Sequence, residues 1–366
     1  MSQPPERVPV TVIIPTYNRA QLVCAAVESA LAQTVLPERI IVIDDGSTDG
    51  TQAALAPYGD RIDYHRQVNR GVSAARNLAL SMAKTEFIAF LDSDDLWHPR
   101  KLEMEVAVLR ALPDVSLMFT EFNILRDDGT TLPNGSRRWL SDKDGFASFY
   151  DHTVLAGTLD LGGAPVPAET PVHYGHIYGP MLYKNLGLTS TALFRRAVIG
   201  DDIRFTEGVS LYEDWEFYAR IARKNIVGFL DIETTSNRSH GDSVRLTRGS
   251  RISKVQAYLG VIQRVWQADR EFAAANIPAL RSIESATLLA LAREAALIGD
   301  RSIVIDALRR WKSLGTHAGQ MSAAMYNVSS AIPGGGMALR LMLKLRTLLR
   351  VITGNQPQHY SSTPVG

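Results

Sequence analysis

Three acidic clusters in this chain have residue types and spacings suited to chemistry. Asp92-Ser93-Asp94-Asp95 follows the apolar run Phe87 to Leu91, so its carboxylates leave the end of a predicted strand. Alternate residues of extended chain point the same way, which lets Asp92 and Asp94 converge on one ligand. Hard oxygen donors suit Mg²⁺ or Mn²⁺, and Mg²⁺ is typically held by one or two carboxylates plus substrate phosphates. The competing account is a solvated acidic turn that caps the helix after Pro99. Asp44-Asp45-Gly46-Ser47-Thr48-Asp49 closes a second apolar run. Its carboxylates could accept hydrogen bonds from a base or ribose, or form an Asx-type turn with Ser47 or Thr48 capping the next helix. Glu213-Asp214 is the third cluster, either a proton acceptor or two acids favourably placed in the first turn of a helix. Between the first two, Asn69 to Asn77 opens a helix with small residues, and Arg76 there could meet a phosphate.

Apolar strands alternating with helices must position these groups. Val10 to Ile14 is a β-branched run closed by Pro15 and reads as a buried strand. Arg19 to Gln33 has helical spacing, Ile40 to Ile43 is a second strand, and Ile62 to His65 a third. Gly71 to Lys84 is helical in pattern, Phe87 to Leu91 a strand, a helix follows Pro99, and Val115 to Phe119 is a further apolar run. The fold class is therefore α/β, a mostly parallel sheet flanked by helices, followed by a helical C-terminal region. In such sheets ligands bind beyond the carboxyl ends of the strands, where the polar clusters fall. From Arg126 to about Pro180 the pattern breaks into a Gly-, Pro- and Asp-rich stretch of the kind that forms functional loops. Regular structure resumes at Leu188 to Phe194, a helix starts near Glu213, and residues 249–314 read as helical.

Together these segments resemble the family-2 inverting glycosyltransferases of GT-A fold. The resemblance rests on Val12-Ile13-Ile14-Pro15-Thr16-Tyr17-Asn18-Arg19, Val42 to Asp49, Asn69 to Asn77 and Phe90 to Asp95, in matching order and spacing. It extends more loosely to Leu211-Tyr212-Glu213-Asp214-Trp215-Glu216 and to Arg238-Ser239-His240-Gly241-Asp242-Ser243. The resemblance implies a donor site made of Pro15, Thr16, Tyr17, Asp44, Asp45, Arg76, Asp92 and Ser93. Within it, Tyr17 and Asp45 would face the base and Asp92 the ribose. Asp94 would ligate a divalent metal, Mn or Mg, bridging the donor diphosphate. His240 is either a second metal ligand or an exposed loop histidine. Asp214 would be the catalytic base that takes the acceptor proton as the nucleoside diphosphate leaves from the opposite face. The implied partners are a nucleoside-diphosphate sugar and a glycan or lipid-linked acceptor. Four segments follow: a donor-binding half over 8–125, an acceptor-side half with the base over 126–245, a helical region over 246–330 and a basic amphipathic tail over 331–366.

Competing classes fit less well. A dinucleotide-binding oxidoreductase needs Gly-x-Gly-x-x-Gly after the first strand, where Pro15 to Arg19 stands instead. A processive polysaccharide synthase would carry membrane spans and a Gln-x-x-Arg-Trp segment, which Gln263-Arg264-Val265-Trp266 does not match. This favours transfer of single sugars. A non-catalytic scaffold of the same fold would be expected to have lost an acidic position, yet Asp45, Asp92, Asp94 and Asp214 are all present. With 39 Lys and Arg against 38 Asp and Glu, no overall field draws the chain to nucleic acid. The single cysteine, Cys24, excludes an internal disulfide framework and fits a reducing compartment. No uninterrupted apolar stretch of about 18 residues occurs, so a cytoplasmic protein is expected. In Met337 to Ile352, Arg340, Lys344, Arg346 and Arg350 share one arc and Leu341, Leu345, Leu348, Leu349 and Ile352 the other. Such a helix either lies in an anionic membrane surface, at the inner face of the plasma membrane, or packs on its own domain.

Overall fold

A computed structural model of the chain describes residues 6–140, 146–200, 203–239, 250–315, 320–331, 334–340 and 342–343. The chain folds as two compact units, residues 1–247 and 248–366.

The first unit opens with β1 (Arg7–Thr16), α1 (Ala20–Leu31), β2 (Leu36–Asp44), α2 (Thr51–Leu55), β3 (Asp63–Arg66), α3 (Val72–Met82) and β4 (Phe87–Phe90). It continues through β5 (Leu96–Trp97), α4 (Lys101–Ala111), β6 (Val115–Arg126), β7 (Thr131–Leu132), α5 (Gly135–Leu140), β8 (His152–Leu155) and β9 (Pro171–Gly175). It closes with β10 (Leu193–Arg195), α6 (Glu213–Ala222) and β11 (Ile226–Ser239). These strands form one sheet in the order β3-β2-β1-β4-β10-β6-β11-β9-β8, with β5 pairing β11 and β7 pairing β6.

The N-terminal half is parallel as expected: β1 pairs with β2 (Ile13↔Ile41) and with β4 (Ile13↔Phe90), and β2 pairs with β3. Val10, Val12, Ile13 and Ile14 are all buried, because a central parallel strand is covered on both faces. The second half is mixed. Strand β10 runs antiparallel between β4 and β6, β11 is parallel to β6, and β9 and β8 add antiparallel strands at the far edge. The expected α/β sheet flanked by helices is thus present, with antiparallel pairing in the half that the sequence leaves irregular.

Chain direction reverses its spread at β1, with β2 and β3 on one side and β4 on the other. A crevice beyond the carboxyl ends of β1 and β4 follows from that switch, and it is where ligands bind in open α/β sheets. One face of the sheet packs Val23, Ala26, Val27 and Ala30 of α1 with Leu102 and Val106 of α4 against Val10, Val12 and Ile14. An aromatic cluster surrounds the last residue of β4. Phe90 has ring neighbours Phe194, Phe205 and Phe217 at 5.4–5.9 Å, and Phe205 stacks on Phe217 at 4.1 Å.

The second unit is helical, as expected: α7 (Arg251–Ile262), α8 (Arg270–Ala275), α9 (Ile277–Ile298), α10 (Arg301–Ser313) and α11 (Gln320–Ala331). Its boundaries are written in caps. The side chains of Ser250, Asp269 and Asp300 accept from backbone N–H groups at the starts of α7, α8 and α10, and Gly299 ends α9 at φ 79°. Residues 335–340 and 342–343 of the tail are helical. There Leu339 is fully buried in the helical core and Leu343 packs against it. This start of the tail therefore packs on its own unit, while residues 344–352 lie outside the described residues. Among the described residues no helix is long and apolar enough to cross a membrane.

Candidate active site

The loop after β1 begins the site. Asn18 takes a left-handed backbone (φ 51°), which asparagine tolerates better than most residues. Its Oδ1 accepts from the N–H groups of Thr48 (2.8 Å) and Asp49 (3.3 Å), and its own N–H donates to Ser47 Oγ (2.9 Å). The first two strand-end loops are therefore one braced structure. Gly46 (φ 83°) permits the third to join them, since a Cβ there would lie 2.9 Å from the backbone nitrogen of Asn69.

Asp44 and Asp45 hold these loops. Asp44 is fully buried and accepts from Ser47 N–H (2.7 Å) and Tyr64 OH (2.7 Å). It forms the Asx-type turn that was the alternative to ligand contact. Asp45 accepts from Gln67 Nε2 (2.7 Å) and from the N–H groups of Arg70 (2.9 Å) and Gly71 (2.8 Å). Pro15 and Thr16 end β1 as buried residues, and Thr16 Oγ1 has no hydrogen-bond partner. Tyr17 is 38% exposed.

The loop after β4 carries the acids. Asp92 and Asp94 are partly exposed, whereas Ser93 and Asp95 are buried. Asp94 pairs with Arg19 at 2.6 Å. Asp95 accepts from Ser190 Oγ (2.5 Å), Asn237 Nδ2 (3.0 Å) and Arg238 N–H (3.1 Å). Burial raises the Asp95 pKa, with the Asp94 and Asp92 charges adding to it. Asp95 is thus the internal member of the cluster, and Asp92 and Asp94 are its outward faces.

Arg76, expected to reach a phosphate, is paired with two carboxylates. It is 3% exposed on α3 and donates to Asp92 Oδ1 (2.8 Å) and Glu213 Oε1 (3.0 Å). Its guanidinium also lies 5.1 Å from the Phe205 ring centre. Burial opposes its charge, but the two carboxylates outweigh that and keep it protonated. A buried cation needs paired anions, and these two supply them. Its position also links the acidic loop to α6.

Helix α6 starts from Tyr212, a non-glycine residue in left-handed backbone (φ 63°), a conformation found at functional sites more often than elsewhere. Asp214 in its first turn is partly buried and accepts from Trp215 N–H (2.7 Å) and Thr189 Oγ1 (3.2 Å). Burial, followed by the Glu213 charge, pushes its pKa up to about 7, against the opposing influence of Arg76 and the Trp215 N–H. A carboxyl placed there can exchange a proton near neutral pH. His240 lies outside the described residues.

The donor set available to a metal is narrow. No group of three His, Cys, Asp or Glu converges among the described residues. Asp92 and Asp94 alone suit a hard cation that takes one or two protein carboxylates and completes its shell with phosphates and water. Sequence reasoning did not find the Arg19–Asp94 pair or the roles of Thr189 and Ser190. The only local signal was the hydroxyl run Thr189-Ser190-Thr191 just before the apolar Ala192-Leu193-Phe194.

Paired acids beyond the carboxyl edge of an α/β sheet are an arrangement that suits a phosphate-bearing ligand with a hard cation. Residues 11–153 match Glycosyl transferase family 2. An uncharacterized glycosyltransferase of Rickettsia typhi is 41% identical over 103 residues, which are 28% of this chain and 32% of that protein. The UDP-Glc:alpha-D-GlcNAc-diphosphoundecaprenol beta-1,3-glucosyltransferase of Escherichia coli is 36% identical over 121 residues, 32% of this chain and 47% of that protein. Among solved structures, Staphylococcus aureus TarS 1–349 in complex with UDP-GlcNAc aligns over 90% of this chain and 83% of that one, at 19% identity and a TM-score of 0.49. The chain spans a third or less of the length of the Rickettsia relatives it matches, from 15% to 33%. The family-2 match lies in the first unit, and over part of its length the chain is similar to nucleotide-sugar glycosyltransferases.

Proposed function

We propose that this chain transfers a single sugar, with inversion, from a nucleoside-diphosphate sugar to a hydroxyl of a cell-surface glycan or lipid-linked acceptor. One observation carries the reading: Arg76 bridges Asp92 on the donor side to Glu213, next to a carboxyl poised at about 7. Tyr17 and Asp45 border the place for the base, and Asp92 with Ser93 the place for the ribose. Asp94, with His240 as its candidate companion, would hold Mn²⁺ or Mg²⁺ at the diphosphate. That ion would neutralise charge on the departing nucleoside diphosphate. Asp214 would take the proton from the attacking hydroxyl, which must approach the face of the sugar opposite the leaving group. Arg76 pairs with both Asp92 and Glu213, and its charge favours the ionised form of Asp214. Glycosyltransferase relatives, one of them named for a diphosphoundecaprenol acceptor, support a surface-glycan role. The cations Arg340, Lys344, Arg346 and Arg350 would draw the tail to the anionic inner face of the plasma membrane.

A panel of nucleotide sugars scored by thermal shift, with and without Mn²⁺, tests this. A ligand that binds only the folded protein adds about 2.7 kcal/mol of stability at a hundredfold excess over its Kd. One donor should stabilise the protein in a metal-dependent way and be consumed with inverted configuration, read by proton NMR of the product. Stabilisation without turnover would favour a non-catalytic sugar-nucleotide-binding protein, and no response to any donor would remove the proposal.

A further inference from the structure

Thr189, Ser190 and Thr191 form a single buried turn, with exposures of 2%, 0% and 0%, just ahead of β10. Each of the three is tied to a different part of the molecule. Ser190 Oγ donates to Asp95 Oδ2 (2.5 Å), so its one proton is committed, and it accepts from the Asp92 N–H (3.0 Å). Asp95 is itself fixed from β11 by Asn237 Nδ2 and Arg238 N–H. The direction of these bonds therefore runs from the Asp92 peptide, through the serine hydroxyl, to a carboxylate anchored on the far strand. The next side chain back along the chain, Thr189, donates to Asp214 Oδ2 (3.2 Å). The turn is itself held fast: Ser190 C=O accepts from Trp97 Nε1 (2.8 Å) and Thr235 Oγ1 (3.3 Å), and Thr191 C=O accepts from Lys101 Nζ (3.2 Å).

We infer that Thr189 and Ser190 are paired positioning residues, one aiming Asp92 at the donor and the other aiming Asp214 at the acceptor hydroxyl. The inference rests on the function proposed above and deepens it. Consecutive Cα atoms lie about 3.8 Å apart, so both aims are referenced to one short rigid piece. Displacing a reacting group by about 1 Å can cost about a hundredfold in rate, which is what such a shared reference prevents.

The two residues should leave different kinetic signatures, whereas a merely structural turn would not. Ser190→Ala removes both the acceptor for the Asp92 N–H and the donor to Asp95. It should weaken binding of UDP or GDP with Mn²⁺ about tenfold, the lower end for losing a partner behind a ligand-holding side chain. Thr189→Val keeps the shape and deletes one hydroxyl. It should leave that affinity within about twofold while lowering turnover about tenfold. Turnover is read as nucleoside-diphosphate release from the donor selected by the panel, with water as acceptor. Ser190→Cys, close in size with weaker hydrogen bonds, should fall between Ser190→Ala and wild type and serves if the alanine variant does not fold. Parallel losses of binding and turnover in both residues, or none in either, would overturn the inference. If the wild-type chain neither binds a nucleoside diphosphate nor releases one, it is the proposed function that fails.

Discussion

Replacing Asp214 with asparagine keeps the acceptor for Trp215 N–H and lets the Thr189 hydroxyl turn to accept, but it removes the titrating proton. The magnitude follows from the site. A carboxyl at about 7 in place of 3.8 favours its protonated form by at most about 4 kcal/mol, at about 1.4 kcal/mol per pKa unit. The sign follows from proton binding. The unfolded chain releases this proton near 3.8, and the folded chain keeps it until about 7. Between those values the unfolded state binds fewer protons, so stability falls as pH rises. Asparagine has no such dependence. The variant's stability advantage over wild type should therefore grow from about pH 4 to pH 7 and then level off, measured by urea unfolding at each pH. Catalysis should run the other way. Wild-type turnover needs the ionised base, so it should rise about tenfold per pH unit below 7 and flatten above, while the variant loses about 10²–10⁴-fold. Nucleoside-diphosphate affinity should stay within about twofold in the variant. Turnover near the wild-type rate, or a stability difference that is flat between pH 4 and 7, would refute the reasoning.

Two further outcomes follow from burial. Lys101 and Glu105 are both fully buried and ion-paired one turn apart on α4, so Lys101→Met should cost about 3–5 kcal/mol in urea unfolding. Adding Glu105→Leu should restore most of that loss, and an unchanged single variant would show that the pair is not a buried charge pair in solution. Deleting residues 333–366 should abolish binding to anionic vesicles and also lower the melting temperature, because Leu339 leaves a filled core. Unchanged vesicle binding would remove the membrane role of the tail.

The N-terminal half of the sheet was legible because its strands are continuous apolar runs that end abruptly in polar clusters. Val10 to Ile14, Ile40 to Ile43 and Phe87 to Phe90 are buried on both faces, and that demand is written locally. Strands β7, β8 and β9 are two to five residues long and owe their extended form to pairing with β6, β11 and each other. No local pattern announces them. Strand β11 was missed for a different reason. It runs fourteen residues but carries Asp231, Glu233, Asn237 and Arg238, and its register with β6 shifts three times between Ile226 and Thr235. Irregular pairing of this kind destroys the alternation by which a half-buried strand is recognised.

The site divides along the same line. Each acid could be named from its place at the end of an apolar run, but the contacts that space the acids join residues far apart in the chain. Arg76 to Glu213 spans 137 positions, and Asp92 to Ser190 spans 98. Arg76 therefore reads locally as a cation near a helix start, free for a phosphate, when its neighbour from α6 has already claimed it. The same argument explains why Thr189 and Ser190 carry no motif. Their side chains act on groups that belong to other segments, so their importance exists only after the sheet has closed. A site built this way can keep every recognisable acid and still lose its geometry through a change in an unremarked buried turn.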